Sequence, residues 1–202
     1  MIKSTLAFLI ALGLATSAAR AQSTDVTAGI YKLDRSHASL TWKVSHLGLS
    51  FYTARFTKFD ATLNIDPAKP ETAKLSVEVD TTSIRTDYPF ASRKDFDKEL
   101  IESPNFFNAK KFPKITFVST KVERTGDKTA KITGDLTLLG VTKPVTLDVT
   151  LNAAIMHPFA KKPAMGFSGT AKIKRSDFGM THLVPNVGDD VTLLVEVEFI
   201  QG

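Results

Sequence analysis

The sequence has no cysteine in its 202 residues. That absence excludes thiol catalysis, iron–sulfur clusters, cysteine zinc sites and disulfides, so the fold must be held by packing alone. Tryptophan occurs once and tyrosine three times, against fourteen phenylalanines. Such an aromatic set supplies large apolar area with few polar demands. No Asn begins an Asn-x-Ser/Thr triplet, which leaves N-glycosylation without an acceptor. Blocks of one charge are also missing, the formal net charge of +5 being spread along the chain. Binding a phosphate backbone needs a concentrated basic face, so nucleic acid is not an expected partner.

Long apolar runs are scarce too, and the one that stands out is N-terminal. Met1-Ile2-Lys3 gives a positive start, Leu6 to Ala15 is apolar and uncharged, and Ala19-Arg20-Ala21 fits the small-x-small rule for signal peptidase. A run of about ten residues is half of the roughly twenty that a hydrocarbon core requires. The expected organisation is therefore a cleaved signal peptide over 1–21 and one domain over 22–202. Lys3 and Arg20 would leave with the leader, and the mildly basic remainder suits brief contact with anionic lipid surfaces. Export without disulfides fits a bacterial periplasm, the expected location.

What the rest of the chain has is period two. Leu40, Trp42 and Val44 alternate with Thr41 and Lys43, Leu63 and Ile65 flank Asn64, and Leu75, Val77 and Val79 alternate with Ser76 and Glu78. The pattern returns over 132–138, 145–151, 169–173 and 191–199, predicting about eight strands with one wet and one dry face. Asp66-Pro67, Lys69-Pro70, Thr125-Gly126-Asp127 and Gly140 to Pro144 read as short turns, and short links imply antiparallel neighbours. One segment differs. From about Arg93 to Ser103 good helix formers place Phe96, Leu100 and Ile101 on one face, and Pro104 ends the run. An all-β sandwich or barrel with one short helix follows.

An ordered series of motifs narrows this: Tyr31-Lys-Leu-Asp34, Ser36-His37, Val44-Ser-His46-Leu-Gly48 and Arg55-Phe56 near the start; then Phe106-Phe107 and Phe112-Pro113-Lys-Ile115-Thr-Phe117-Val-Ser119-Thr120; then Gly134-Asp-Leu136-Thr137-Leu138-Leu-Gly140-Val141-Thr142-Lys143-Pro144-Val145; and Arg175-Ser176-Asp177-Phe178-Gly179-Met180. Over about residues 30–200 the chain resembles the YceI-like family of polyisoprenoid-binding proteins. The resemblance implies a lipocalin-like, eight-stranded antiparallel β-barrel whose apolar tunnel holds an isoprenoid tail, such as that of a quinone or a polyprenyl derivative. It implies transport or storage without catalysis, and no cofactor apart from that lipid.

Inward parity makes Trp42, Val44, Phe59, Leu63, Val77, Phe117, Leu136, Phe167 and Ile173 the candidate tunnel wall, or else filler at a closed barrel end; a single bulge would exchange the faces beyond it. His46, ending an inward-reading strand before Gly48, is a candidate contact for a polar head group, or a structural hydrogen bond at a strand end. Arg55, at the start of the next strand, is a candidate forked donor to a quinone oxygen or phosphate, or a loop-pinning arginine. Arg175 and Asp177 read as fixing the turn at Phe178-Gly179. His37, His46, His157 and His182 lack ligand spacing, so no metal is expected. Two other functions stay open. One is an enzyme acting on a bound isoprenoid, although no Gly-x-Ser-x-Gly elbow exists and His46 with Arg55 would be the first pair to test; the other is an interaction protein with a filled barrel. A homodimer through sheet edges or barrel mouths is left open as well.

Overall fold

Alternating β-branched or aromatic and polar residues can bury one face only if the sheet curls on itself or meets another layer, and here it curls. The structure, a computed structural model, describes residues 26–90 and 92–202. The expected signal peptide lies outside the described residues. The strands are β1 (Gly29–Leu33), β2 (Ser39–His46), β3 (Ser50–Phe56), β4 (Phe59–Ile65), β5 (Lys74–Asp80), β6 (Ile84–Arg85), β7 (Lys114–Arg124), β8 (Thr129–Leu138), β9 (Val141–Met156), β10 (Pro163–Lys174) and β11 (Val187–Gln201). Every pairing is antiparallel. β1 joins β4 on one side and β11 on the other, closing an eight-stranded ring in the order β1-β4-β5-β7-β8-β9-β10-β11. The expected barrel and its single short helix are therefore what the chain forms.

β11 serves two partners along its length. Its last residues pair with β1, Phe199 opposite Leu33 and Gln201 opposite Tyr31. Its earlier residues pair with β2, from Val187 opposite His46 to Glu196 opposite Ser39. The molecule thus has a strand end, walled by β1 and β4, and a helix end, walled by β2, β3 and the two-residue β6. The segment after β6 carries α1 (Phe96–Glu102), which packs against the core of the helix end.

Local chemistry sets these boundaries. The helix starts at Phe96, later than Arg93, because the Asp95 carboxylate accepts a hydrogen bond from Lys98 N–H and caps it; Pro104 follows the C-cap Ser103 as expected. The β8–β9 connection is only Leu139-Gly140, both at positive φ. Pro144 therefore sits inside β9, opposite Asp135, and does not open it. Gly134 faces Phe117: a Cβ there would stand 2.5 Å from the ring and 2.5 Å from the Val118 carbonyl oxygen. The ladder shifts register just beyond, between Ser119 and Lys121, where Ser119 Oγ accepts from Leu75 N–H at 2.8 Å.

Two cores stack along the axis. At the helix end Phe56, Ile84, Leu100, Phe107, Ile173 and Phe178 are among those buried together. Tyr31, Leu63, Met165 and Phe199 anchor the strand end. Tyr31 is fully buried, and its hydroxyl donates to the Thr27 carbonyl at 2.6 Å; burial holds its phenol above the ordinary value.

Candidate functional site: an axial apolar tunnel

The inward side chains do not fill the ring. They line a cavity of about 850 Å³ that extends along the barrel from His46, Tyr52 and His182 at the helix end to Pro67, Arg124 and Lys128 at the strand end. Between those limits the wall is aliphatic and aromatic. Trp42, Val44, His46, Phe59, Leu63, Val77, Phe117, Leu136, Phe167 and Ile173 all line it.

Arg55 does not. In β3 the inward parity belongs to Ala54 and Phe56, both buried, so Arg55 points to the outer face and pairs with Asp87 at 2.8 Å. The expectation of a forked bond from Arg55 to a ligand in the tunnel is corrected accordingly, and His46 and Arg55 do not share a face. Two bulges shift parity elsewhere, at Thr120 in β7 and Asn152 in β9. Beyond them Val122 and Ala154 enter the wall, positions that simple alternation from Phe117 and Leu151 would have turned outward.

The helix-end mouth is built from residues distant in sequence. Asp97 accepts from Thr86 N–H at 2.8 Å and from Thr86 Oγ1 at 2.6 Å, pinning the segment after β6. The pinned segment lays Tyr88 and Phe96 edge-on to each other, and Phe96 edge-on to Tyr52 at 5.8 Å. Tyr52 donates to the Thr86 carbonyl at 3.3 Å, and burial raises its phenol pKa. Lys94 and Glu99 form an ion pair, and both line the mouth. Phe106 meets the His182 ring at 5.4 Å. Period two carries no signal for this group because α1 and its flanking loops supply half of it.

Just below the mouth Arg175 is buried, and each of its three guanidinium nitrogens donates to a carbonyl, of Gly188, Met180 and Val187, at 2.8–3.1 Å. It fixes the turn as expected, but the acidic partner is Asp189, which accepts from Ser176 N–H and Oγ; Asp177 is exposed. Trp42 Nε1 is buried in the wall without an acceptor. On the outer surface Asp34, His37 and Glu198 come together, the register of β11 supplying the third member. Asp34 also accepts from Ser36, and Ser36 and then His37 hold its carboxyl at about 2. Local capping accounts for that arrangement.

A family model described as the YceI-like domain matches residues 31–199. The chain belongs to the YceI-like domain family. The matched span opens at Tyr31 in the first strand and closes at Phe199 in the last, so the YceI-like domain is the whole ring. A UPF0312 protein of Pseudomonas putida is 43% identical over 183 residues, 89% of this chain and 88% of that protein. The crystal structure of a Campylobacter jejuni YceI protein superposes with a TM-score of 0.68 at 33% identity, covering 78% of this chain and 90% of that one. A polyisoprenoid binding domain from Saccharophagus degradans, implicated in plant cell wall breakdown, matches with a TM-score of 0.59 at 16% identity over 85% and 98% of the two chains, a likeness of fold.

Proposed function

We propose that this YceI-like protein binds one long isoprenoid lipid in its axial tunnel and carries or stores it without chemical change, in the periplasm. The observation that carries the reading is the hollow interior: an apolar cavity of about 850 Å³ running the length of the barrel. A solid interior is what a filled-barrel interaction protein would need, so the cavity counts against that alternative. Each buried CH₂ is worth about 0.8 kcal/mol, so a chain of isoprene units supplies ample affinity without specific polar contacts along the wall. Charged side chains gather toward the ends, where a head group would lie while the tail runs inside. The Saccharophagus domain of like fold is described as polyisoprenoid binding, which is consistent with this cargo class. His46 is the proposed head-group contact, and a quinone or a polyprenyl derivative is the proposed cargo.

The test is extraction of detergent-free, folded protein with organic solvent and mass spectrometry of the extract. One isoprenoid species at stoichiometric yield is the expected result. An empty extract, together with no uptake on incubation with quinones or polyprenols, sinks the reading. A Gly169→Leu variant sharpens it. Gly169 lines the tunnel, and the nearest atoms to a Cβ there, on Val195, Leu147 and Val149, stand at 3.6–3.9 Å, ordinary contact distances, so the added side chain enters the cavity and should exclude cargo while the barrel still folds.

A further inference from the structure

Two turns share the sequence Leu-Gly with both residues at positive φ: Leu47-Gly48 at 53° and 70° between β2 and β3, and Leu139-Gly140 at 53° and 75° between β8 and β9. Leucine is a costly choice for the first of these positions, where Asn or Gly is favoured. Leu139 offsets the cost by packing against the helix-end core. Leu47 is 55% exposed, and the adjoining Leu49 is 84% exposed. A further leucine at positive φ, Leu183 at 63°, stands half exposed in the connection between β10 and β11. The two exposed sites are neighbours, because Leu47 N–H donates to the Asn186 carbonyl at 2.7 Å. Leu183 also lines the tunnel, as do His46 and Ser50 on either side of the first turn. Leu183 thus joins the exposed rim to the tunnel wall.

Cations flank this end. Lys43 lies over the exposed Phe51 ring at 5.2 Å and Arg93 over Phe90 at 4.8 Å. Exposed leucines and rings bordered by cations fit the headgroup boundary of a bilayer, where apolar groups enter and cations meet phosphates. We propose that the helix-end rim, Leu47, Leu49, Phe51, Phe90, Leu183 and Val184, docks on an anionic phospholipid bilayer and aligns the tunnel mouth with it. The inference rests on the lipid-carrier reading for its purpose and on the rim alone for its existence. The strand end provides a control: Phe159 on the β9–β10 hairpin is 89% exposed but does not line the tunnel.

The experiment is sedimentation of the purified protein with vesicles of phosphatidylethanolamine and phosphatidylglycerol, and with vesicles of phosphatidylcholine alone. Binding to the anionic vesicles, and less to the neutral ones, is expected. The Leu47→Asn/Leu49→Ser variant should lose about tenfold or more in partitioning, since two apolar side chains no longer enter the boundary, whereas Phe159→Ser should lose none. Leu47→Asn installs the Asn-Gly pair that the turn favours, so an undiminished thermal midpoint separates lost docking from lost folding. Equal sedimentation of wild type and the double variant, or no sedimentation of wild type with either vesicle, overturns the proposal. A wild type that is dimeric at sedimentation equilibrium while the double variant is monomeric assigns the rim to a second copy and also overturns it. Solvent extraction of the same preparations keeps the two readings apart: vesicle binding by protein with an empty extract upholds docking and sinks the carrier, and a double variant that retains cargo but not vesicle binding supports both.

Discussion

At the strand end the wall is completed by backbone: β1 exchanges hydrogen bonds with β4 and with the last residues of β11. At the helix end the sheet runs out. β6 contributes only Ile84 and Arg85 beside β3, and what stands beyond it is a loop and a seven-residue helix held by side chains, with Leu100 and Phe107 in the core and Asp97 gripping Thr86. A ladder opens only when many bonds break together, whereas a segment docked by a few side chains opens locally. The barrel therefore has a fixed end and an end that can yield, and the polar, aromatic mouth is at the latter.

The contrast can be broken most forcibly at Leu100, which is 4% exposed. Leu100→Ala should cost about 3 kcal/mol in equilibrium denaturation and should speed amide exchange in residues 96–103, while exchange at Tyr31, Leu63 and Phe199 follows global stability only. Next in size is Asp97→Ala, which removes two charge-assisted hydrogen bonds to Thr86; about 2 kcal/mol should be lost, again with faster exchange confined to the helix end. At the fixed end Tyr31→Phe removes one hydrogen bond to the Thr27 carbonyl and should cost about 1 kcal/mol, with the β1 ladder amides unchanged in their order of protection. Equal loosening of both ends by Leu100→Ala would abolish the distinction.

The smallest effect lies on the outer face beside β1 and is one of pH. Asp34 first, then Glu198, raises the proton affinity of His37, so its stabilisation is present below the ordinary value of about 6.5 and is lost as pH rises through the raised folded value. Asp34 has the opposite sign: held at about 2 by Ser36 and then by His37, below its reference of 3.8, it stabilises above the reference and loses that contribution as pH falls through about 2. In an NMR titration Asp34→Asn should bring the His37 midpoint down toward the ordinary value. An unmoved midpoint would mean that the pair does not form in solution.

Much of the wall was legible because strand alternation is a local property: Trp42, Val44, Leu63, Val77, Phe117 and Leu136 need only their own neighbours to be placed inward. Of the two readings open for Arg55 the loop-pinning one is what forms, and the same argument favours it, since Ala54 and Phe56 on either side already claim the inner face. The bulges at Thr120 and Asn152 escaped although Gly134 and Gly166 lie opposite them, because a strand glycine does not say which strand carries the extra residue. The mouth escaped for a different reason. Tyr52, Tyr88, Phe96 and His182 meet only after β3 has paired with β6 and the chain has crossed the end of the barrel, an outcome of tertiary closure that period two does not encode. The helix itself was readable from Asp95 to Pro104, and only its first residues were misjudged, because capping by Asp95 delays its start.

Among the described strands β11 is the one that pairs with both β1 and β2, and its fifteen residues set the length of the bore. That length changes in pairs: removing two residues at one level from β11 and from each of the other strands of the ring would shorten the bore by about 7 Å along the strand and keep every side chain on its face, whereas removing one from a strand would turn its side chains to the other face. Under the proposed reading the length of the bore sets the length of tail that fits, and that length changes in steps of two residues per strand.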